Sequence, residues 1–183
     1  MPAMLSGSRR EHILLAAWFV FVGLVWIGPA LWGYAMHIND HDTALYYYPI
    51  LDFYAKALQS GQSFLWIPGM FSGFPIYVSQ TGGFFDPINI LIYSFLDGIN
   101  GTHLRLFLDF IATFLFSYLA GRSFGVSRTA SALIGPSFLI AFHLRFLSNP
   151  LIANTLFLIP LLLYVANGLF GAMRHRTAIL LIA

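Results

Sequence analysis

The stretch that decides how this chain is read is Asn39–Asn89, NDHDTALYYYPILDFYAKALQSGQSFLWIPGMFSGFPIYVSQTGGFFDPIN. It holds Asp40, Asp42, Asp52 and Asp86, the densest cluster of aromatic residues, and many of the glycines and prolines. On either side the sequence runs apolar. A polar, acidic loop between apolar segments is where chemistry is expected.

The composition sets the class. The 183 residues are 58% hydrophobic and 9% charged, with a mean hydropathy of +0.77. Soluble domains carry about 25% charged and about 45–50% apolar residues, so the chain is expected to be an integral membrane protein. The net charge of +2 is uninformative, because the charges are distributed by side. The absence of cysteine excludes a disulfide framework, a thiolate metal site and a catalytic cysteine. No basic run of the nucleic-acid-binding kind is present, so no nucleic-acid partner is expected.

The apolar stretch from Ile13 to Tyr34 meets the ~20 residues needed to cross a bilayer. It follows Arg9 and Arg10, so the N-terminal residues 1–12 are expected in the cytoplasm and residues 35–102 outside. The stretch is too long for a secretory signal and reads as a retained anchor. Within the loop, Ile50, Leu51, Tyr54, Ala57 and Leu58 share one helical face. Asp52 and Lys56 form an i,i+4 pair, Pro49 suits a helix start and Gly61 a stop. Such a helix is expected to lie along the membrane surface. The segment Pro87–Leu96 is too short to span and reads as interfacial or re-entrant.

Residues 103–176 are expected to hold three transmembrane helices. These are His103–Ala120, Thr129–Leu144 broken at Gly135-Pro136, and Pro150–Phe170; a further one begins at Thr177. The run TAILLIA at the end suggests the N-terminal part of a longer protein. On this topology Arg9, Arg10, Arg122, Arg128, Arg174 and Arg176 are cytoplasmic, six of the nine basic residues, as the positive-inside bias requires. Asp40, Asp42, Asp52, Asp86 and Asp97, five of the seven acids, are outside.

Asp40 and Asp42 stand where the first span leaves the membrane. An acid there can act as a general base on an acceptor hydroxyl or hold a divalent cation through oxygen ligands; solvated polar residues capping a span have the same appearance. Tyr46, Tyr47 and Tyr48, with Trp66, Phe71 and Phe74, read as an interfacial aromatic belt or loop core, and sugar rings also stack on such surfaces. His103, Arg105, His143 and Arg145 gather at outer ends of spans, where they contact a phosphate or snorkel. Asp109 lies inside a span with Arg105 at i−4, and a local ion pair is the simplest account. His37 and His41 are a weak metal signal. Asn100-Gly101-Thr102 fits the glycosylation pattern. Asn154 and Asn167 are expected to bond neighbouring helices.

The order of these elements carries a resemblance. Asp42, Tyr47-Tyr48-Pro49, Gly61 with Leu65-Trp66, Ser72-Gly73-Phe74-Pro75, and Gln80 to Gly83 leading into Phe85-Asp86-Pro87-Ile88-Asn89 are similar to the first outer loop of bacterial YfhO-type membrane proteins, which resemble glycosyltransferases of the GT-C fold. The match covers about fifty residues. It departs at Phe64, where the family has proline before Leu-Trp, and in length, since GT-C proteins have many more spans. The resemblance implies an all-α, polytopic transmembrane helix bundle in the bacterial cytoplasmic membrane, with a long outer loop. It also implies transfer of a sugar from a polyprenyl-phosphate donor to an acceptor on the outer face. Asp42, with Asp40 as alternative, would be the catalytic acid, and a divalent cation is the one cofactor it brings into view. Tyr47, Tyr48, Trp66, Gln80, His103, Arg105 and Arg145 would contact substrate. The rival expectation is a non-catalytic accessory subunit, packed against other transmembrane subunits and lipid; a transporter half is weaker, since no internal repeat is evident.

Overall fold

Pro49 near the start and a glycine past the end make the first loop helix a local decision of the chain. The computed structural model describes residues 9–31, 43–76, 83–146 and 157–182, and these are mostly helical. Helix α1 is Arg9–Leu31. A π-helical turn, Thr43–Tyr47, leads into α2, Tyr48–Gln59. Beyond Ser60 the amides of Gly61 and Gln62 return to the carbonyls of Leu58 and Ala57, at 3.1 and 2.8 Å. That paired closure, with Gly61 at φ 67°, ends the helix where the sequence predicts. The Asp52–Lys56 pair forms, at 2.7 Å.

The described residues fall into two units, each with its own interior. The first takes in the loop and the start of α4, within Val25–Leu108, together with a short piece after His143. Here the apolar face of α2 is not offered to a membrane surface. Ile50, Leu51, Tyr54 and Ala55 are buried against Ile67, Ile76, Phe84, Ile92 and Tyr93. The later loop supplies the apolar cover that a lipid surface would otherwise have to provide. A hairpin of two short strands, β1 (Trp66–Ile67) and β2 (Phe74–Pro75), pairs Trp66 with Pro75 and Ile67 with Phe74. Helix α3 is Pro87–Tyr93, and Gln59 Nε2 ties α2 to its end through the carbonyls of Tyr93 and Leu96. Asp97 then caps α4, Gly98–Ser123: its Oδ1 accepts from the amides of Ile99 and Asn100 at 3.0 Å. Asn100 Nδ2 donates to Asp97 Oδ2. The Asn100-Gly101-Thr102 triplet is therefore helix, not the surface loop its pattern suggests.

The second unit takes in the described residues of Met1–Leu24, Asp109–Phe142 and Thr155–Ala183. Phe19 of α1 stacks on Phe114 of α4, centroids 5.8 Å apart, and meets Tyr118 edge-on at 6.1 Å. After α4 the turn Phe124–Ser127 reverses the chain into α5, Arg128–Phe146. The expected break at Gly135-Pro136 does not occur, and α5 runs through both. Pro136 has no N–H for the carbonyl of Ala132, four residues back. The indole Nε1 of Trp18 donates to that carbonyl at 3.3 Å, so a neighbouring helix supplies the bond the proline removes. A Cβ on Gly135 would stand 2.8 Å from Cα of Phe114; the glycine is there for close approach to α4. Helix α6 is Leu158–Ile182 and continues past Arg174 and Arg176, so no turn separates a fourth span from a fifth.

Among the described residues α4 is the one helix long and apolar enough to cross a membrane. Ile13–Val25 and Leu158–Phe170 are shorter apolar stretches of α1 and α6. The all-α reading holds in this coarse form, with a small hairpin added.

Candidate functional site

Asp40, Asp42 and Gln80 lie outside the described residues, as do His37 and His41. Arg145 is in α5, and its side chain is outside what is described. The remaining candidates all belong to the loop unit, built around Tyr54.

Tyr54 is fully buried. Phe64, Phe84 and Tyr93 surround its ring edge-on, at centroid distances of 5.0, 5.1 and 5.4 Å. Its hydroxyl donates to the carbonyl of Phe84 at 2.7 Å. Burial, reinforced by Tyr93 and Asp86, holds that hydroxyl well above the ordinary tyrosine range. It is a fixed donor that pins the turn entering α3.

Asp86 stands at that turn and uses both oxygens. Oδ1 accepts the amide of Ile88 at 2.9 Å and caps α3; Oδ2 accepts from Arg105 Nη1 of α4 at 2.8 Å. The side chain of Arg105 is 4% exposed and that of Asp86 30%. This partner of Arg105 Nη1 comes from nineteen residues earlier in the chain. Arg105 thus joins two elements of the loop unit, and Asp86 gives its charge a counterpart. Beside them Asn89 donates to the carbonyl of Gly83 at 2.9 Å, and its buried Oδ1 has no hydrogen-bond partner among the described residues.

Tyr46 and Tyr47 pack against this core. Tyr47 and Tyr48 are half-buried, and Tyr46 meets Tyr47 at 5.0 Å and Phe74 at 5.9 Å, in both cases edge-on. Trp66 is exposed, with its ring laid on Gly73: a Cβ there would come within 2.3 Å of the indole. His103 is half-buried on α4. Among the described residues no group of three histidine or acidic side chains could hold a metal ion.

Tyr54, Asp86 and Asn89 were not singled out from sequence as site residues. The Asp-Pro step before an apolar run does signal a helix start, and that finds the cap. Nothing local announces the pair with Arg105. Within α4 the buried polar residues Arg105, Asp109, Thr113 and Ser117 recur every fourth position on one face, the placement polar groups take in an apolar helix that packs on protein. Asn167 of α6 donates to the carbonyl of Ser123 at 2.8 Å, the helix-to-helix role expected of it.

The chain matches no family model, no curated protein and no solved structure.

Proposed function

We propose that this chain is a GT-C-like membrane glycosyltransferase that takes a sugar from a polyprenyl-phosphate donor. In this reading it resides in the bacterial cytoplasmic membrane with its N-terminus inside and its loop on the outer face. The supporting observation is convergence. Motif segments read separately along the sequence, Tyr47-Tyr48-Pro49, Leu65-Trp66, Gly73-Phe74-Pro75 and Asp86-Pro87-Ile88-Asn89, all fall within the loop unit, and Tyr47 and Phe74 pack against its core around Tyr54. A loop with its own packed interior suits the positioning of a reacting group, where small displacements cost rate.

In the proposed reaction Asp42 takes the proton of an acceptor hydroxyl. The acceptor oxygen bonds to the anomeric carbon as its bond to the phosphate oxygen breaks, inverting the centre and releasing polyprenyl phosphate. Asp40 is the alternative base, and either acid could hold a divalent cation. Arg105, engaged with Asp86, acts by positioning; His103, Arg145 and Gln80 remain for the phosphate and sugar, with Tyr47, Tyr48 and Trp66 as aromatic surface. Asp42→Asn is expected to abolish transfer from a radiolabelled polyprenyl-phosphate hexose while leaving membrane insertion unchanged. Full transfer by that variant would overturn the assignment.

A second reading, an accessory subunit that packs against other transmembrane chains, is favoured by the exposed apolar side chains of α1 and α6, such as Phe21, Leu162 and Leu169. Complementation separates the two: if Asp42→Asn restores a deletion strain as well as the wild type does, the accessory reading stands.

A further inference from the structure

The exposed apolar side chains of the loop unit are not where the α2 sequence pattern points. With the apolar face of α2 turned inward, its outward face carries Asp52 and Lys56, the latter with its side chain 74% exposed. The exposed apolar side chains include Leu65, Trp66 and Phe71 of the hairpin and Ile88, Leu91 and Phe95 of α3 and its exit, with Phe71 at 71% and Phe95 at 79%. We propose that the β1–β2 hairpin and α3 lie in the headgroup–acyl boundary of the bilayer, with lipid as the occupant over these side chains.

Three further observations carry the proposal. From Ala57 to Phe85 the sequence has no Asp, Glu, Lys, Arg or His. A water-facing stretch of that length would carry about seven charges at ordinary composition, whereas the membrane interface favours tryptophan and other aromatics without them. The hairpin turn is also built with left-handed backbone at two non-glycine residues, Phe71 at φ 49° and Ser72 at φ 63°, followed by Gly73 at φ 118°. Strain of this kind persists only where surrounding packing enforces it. Here it accompanies the exposure of Phe71, while Tyr46 and Phe74 support its ring at 6.3 and 6.2 Å. Finally, the face is continuous in the chain with the helix long enough to span. Phe95 stands three residues before Gly98, and α4 carries exposed apolar residues onward at Leu104 and Leu108. A protein partner would not need a stretch of this length without charge; lipid does. The proposal does not rest on the glycosyltransferase reading.

The chain has no cysteine, so single labels can be placed cleanly. Phe71→Cys, Leu91→Cys and Lys56→Cys are made in the full chain, labelled with a nitroxide and reconstituted in phosphatidylethanolamine–phosphatidylglycerol vesicles. Collision with oxygen and with a water-soluble nickel chelate is then measured by electron paramagnetic resonance. Labels at 71 and 91 are expected to favour oxygen over the chelate several-fold, and the label at 56 to show the reverse. Chelate access at 71 and 91 equal to that at 56 overturns the proposal. Exclusion of both reagents there overturns it too, because the occupant would then be protein. Phe95→Cys, outside any helix or strand, carries the same test should Phe71→Cys not fold.

Discussion

Glycine and proline stand close together at Gly73-Phe74-Pro75 in the loop and at Gly135-Pro136 in α5, and the chain behaves differently at each. In the loop they terminate a turn: Gly73 takes φ 118° and Pro75 sits on a two-residue strand. In α5 the helix continues through both. Each glycine makes room for an aromatic ring, Trp66 in one case and Phe114 in the other. The difference lies in the fate of the backbone groups. Ala132, in α5, has its freed carbonyl met by Trp18, so the helix keeps its course. Glycine and proline mark places where the backbone needs a neighbour, and the neighbour decides whether the element stops.

That contrast can be broken most forcefully at Tyr54. Tyr54→Ala removes the ring on which Phe64, Phe84 and Tyr93 converge and is expected to destabilise the loop unit by about 3–5 kcal/mol. Limited proteolysis should then cut between residues 60 and 95 while the helical circular dichroism of the second unit persists. If both are lost together, the two units do not stand independently.

A smaller effect tests the proline in α5. Trp18→Phe leaves the Ala132 carbonyl without its donor and should cost about 1 kcal/mol in thermal unfolding in detergent. Pro136→Ala restores an amide that can reach the same carbonyl, so in that background Trp18→Phe should cost close to nothing beyond packing. Equal costs in the two backgrounds would mean that the indole contact does not substitute for the missing backbone bond.

The smallest effect is at the α4 cap. The amide of Asn100, more than any other partner, holds Asp97 below the ordinary carboxylate range. A depressed folded-state pKa stabilises above the unfolded value, about 3.9, and that stability is lost as pH falls through the folded value. Asp97→Ala should therefore cost about 0.5 kcal/mol at pH 7, the low end for a cap because the site is solvent-screened. The cost should shrink below about pH 4. A penalty independent of pH would assign the effect to shape rather than charge.

Much of this was legible because it is local. The end of α2 at Gly61, the Asp52–Lys56 pair and the apolar length of α4 follow from residues within one or two turns of each other. The candidate site was less legible. Asp42 and Asp40 are read from their place at the end of the first span and Gln80 from a motif order, and all three lie outside the described residues. The cluster that the structure does bring together, Tyr54, Asp86, Asn89 and Arg105, draws on α2, the turn before α3, and α4. Periodicity saw Arg105 and Asp109 as helix neighbours; it has no means of seeing Asp86 arrive from another element.

Composition and hydrophobic periodicity were enough to establish a helical chain with an apolar span and a polar, aromatic loop, because hydrophobic length and helix caps act within one segment. Only the tertiary structure decided which face of each segment meets protein. It turned the apolar side of α2 inward, left some apolar side chains of the hairpin and α3 exposed, and carried α5 through its proline with a donor from α1. Burial and the satisfaction of backbone groups depend on neighbours distant in the chain, and no local pattern names them.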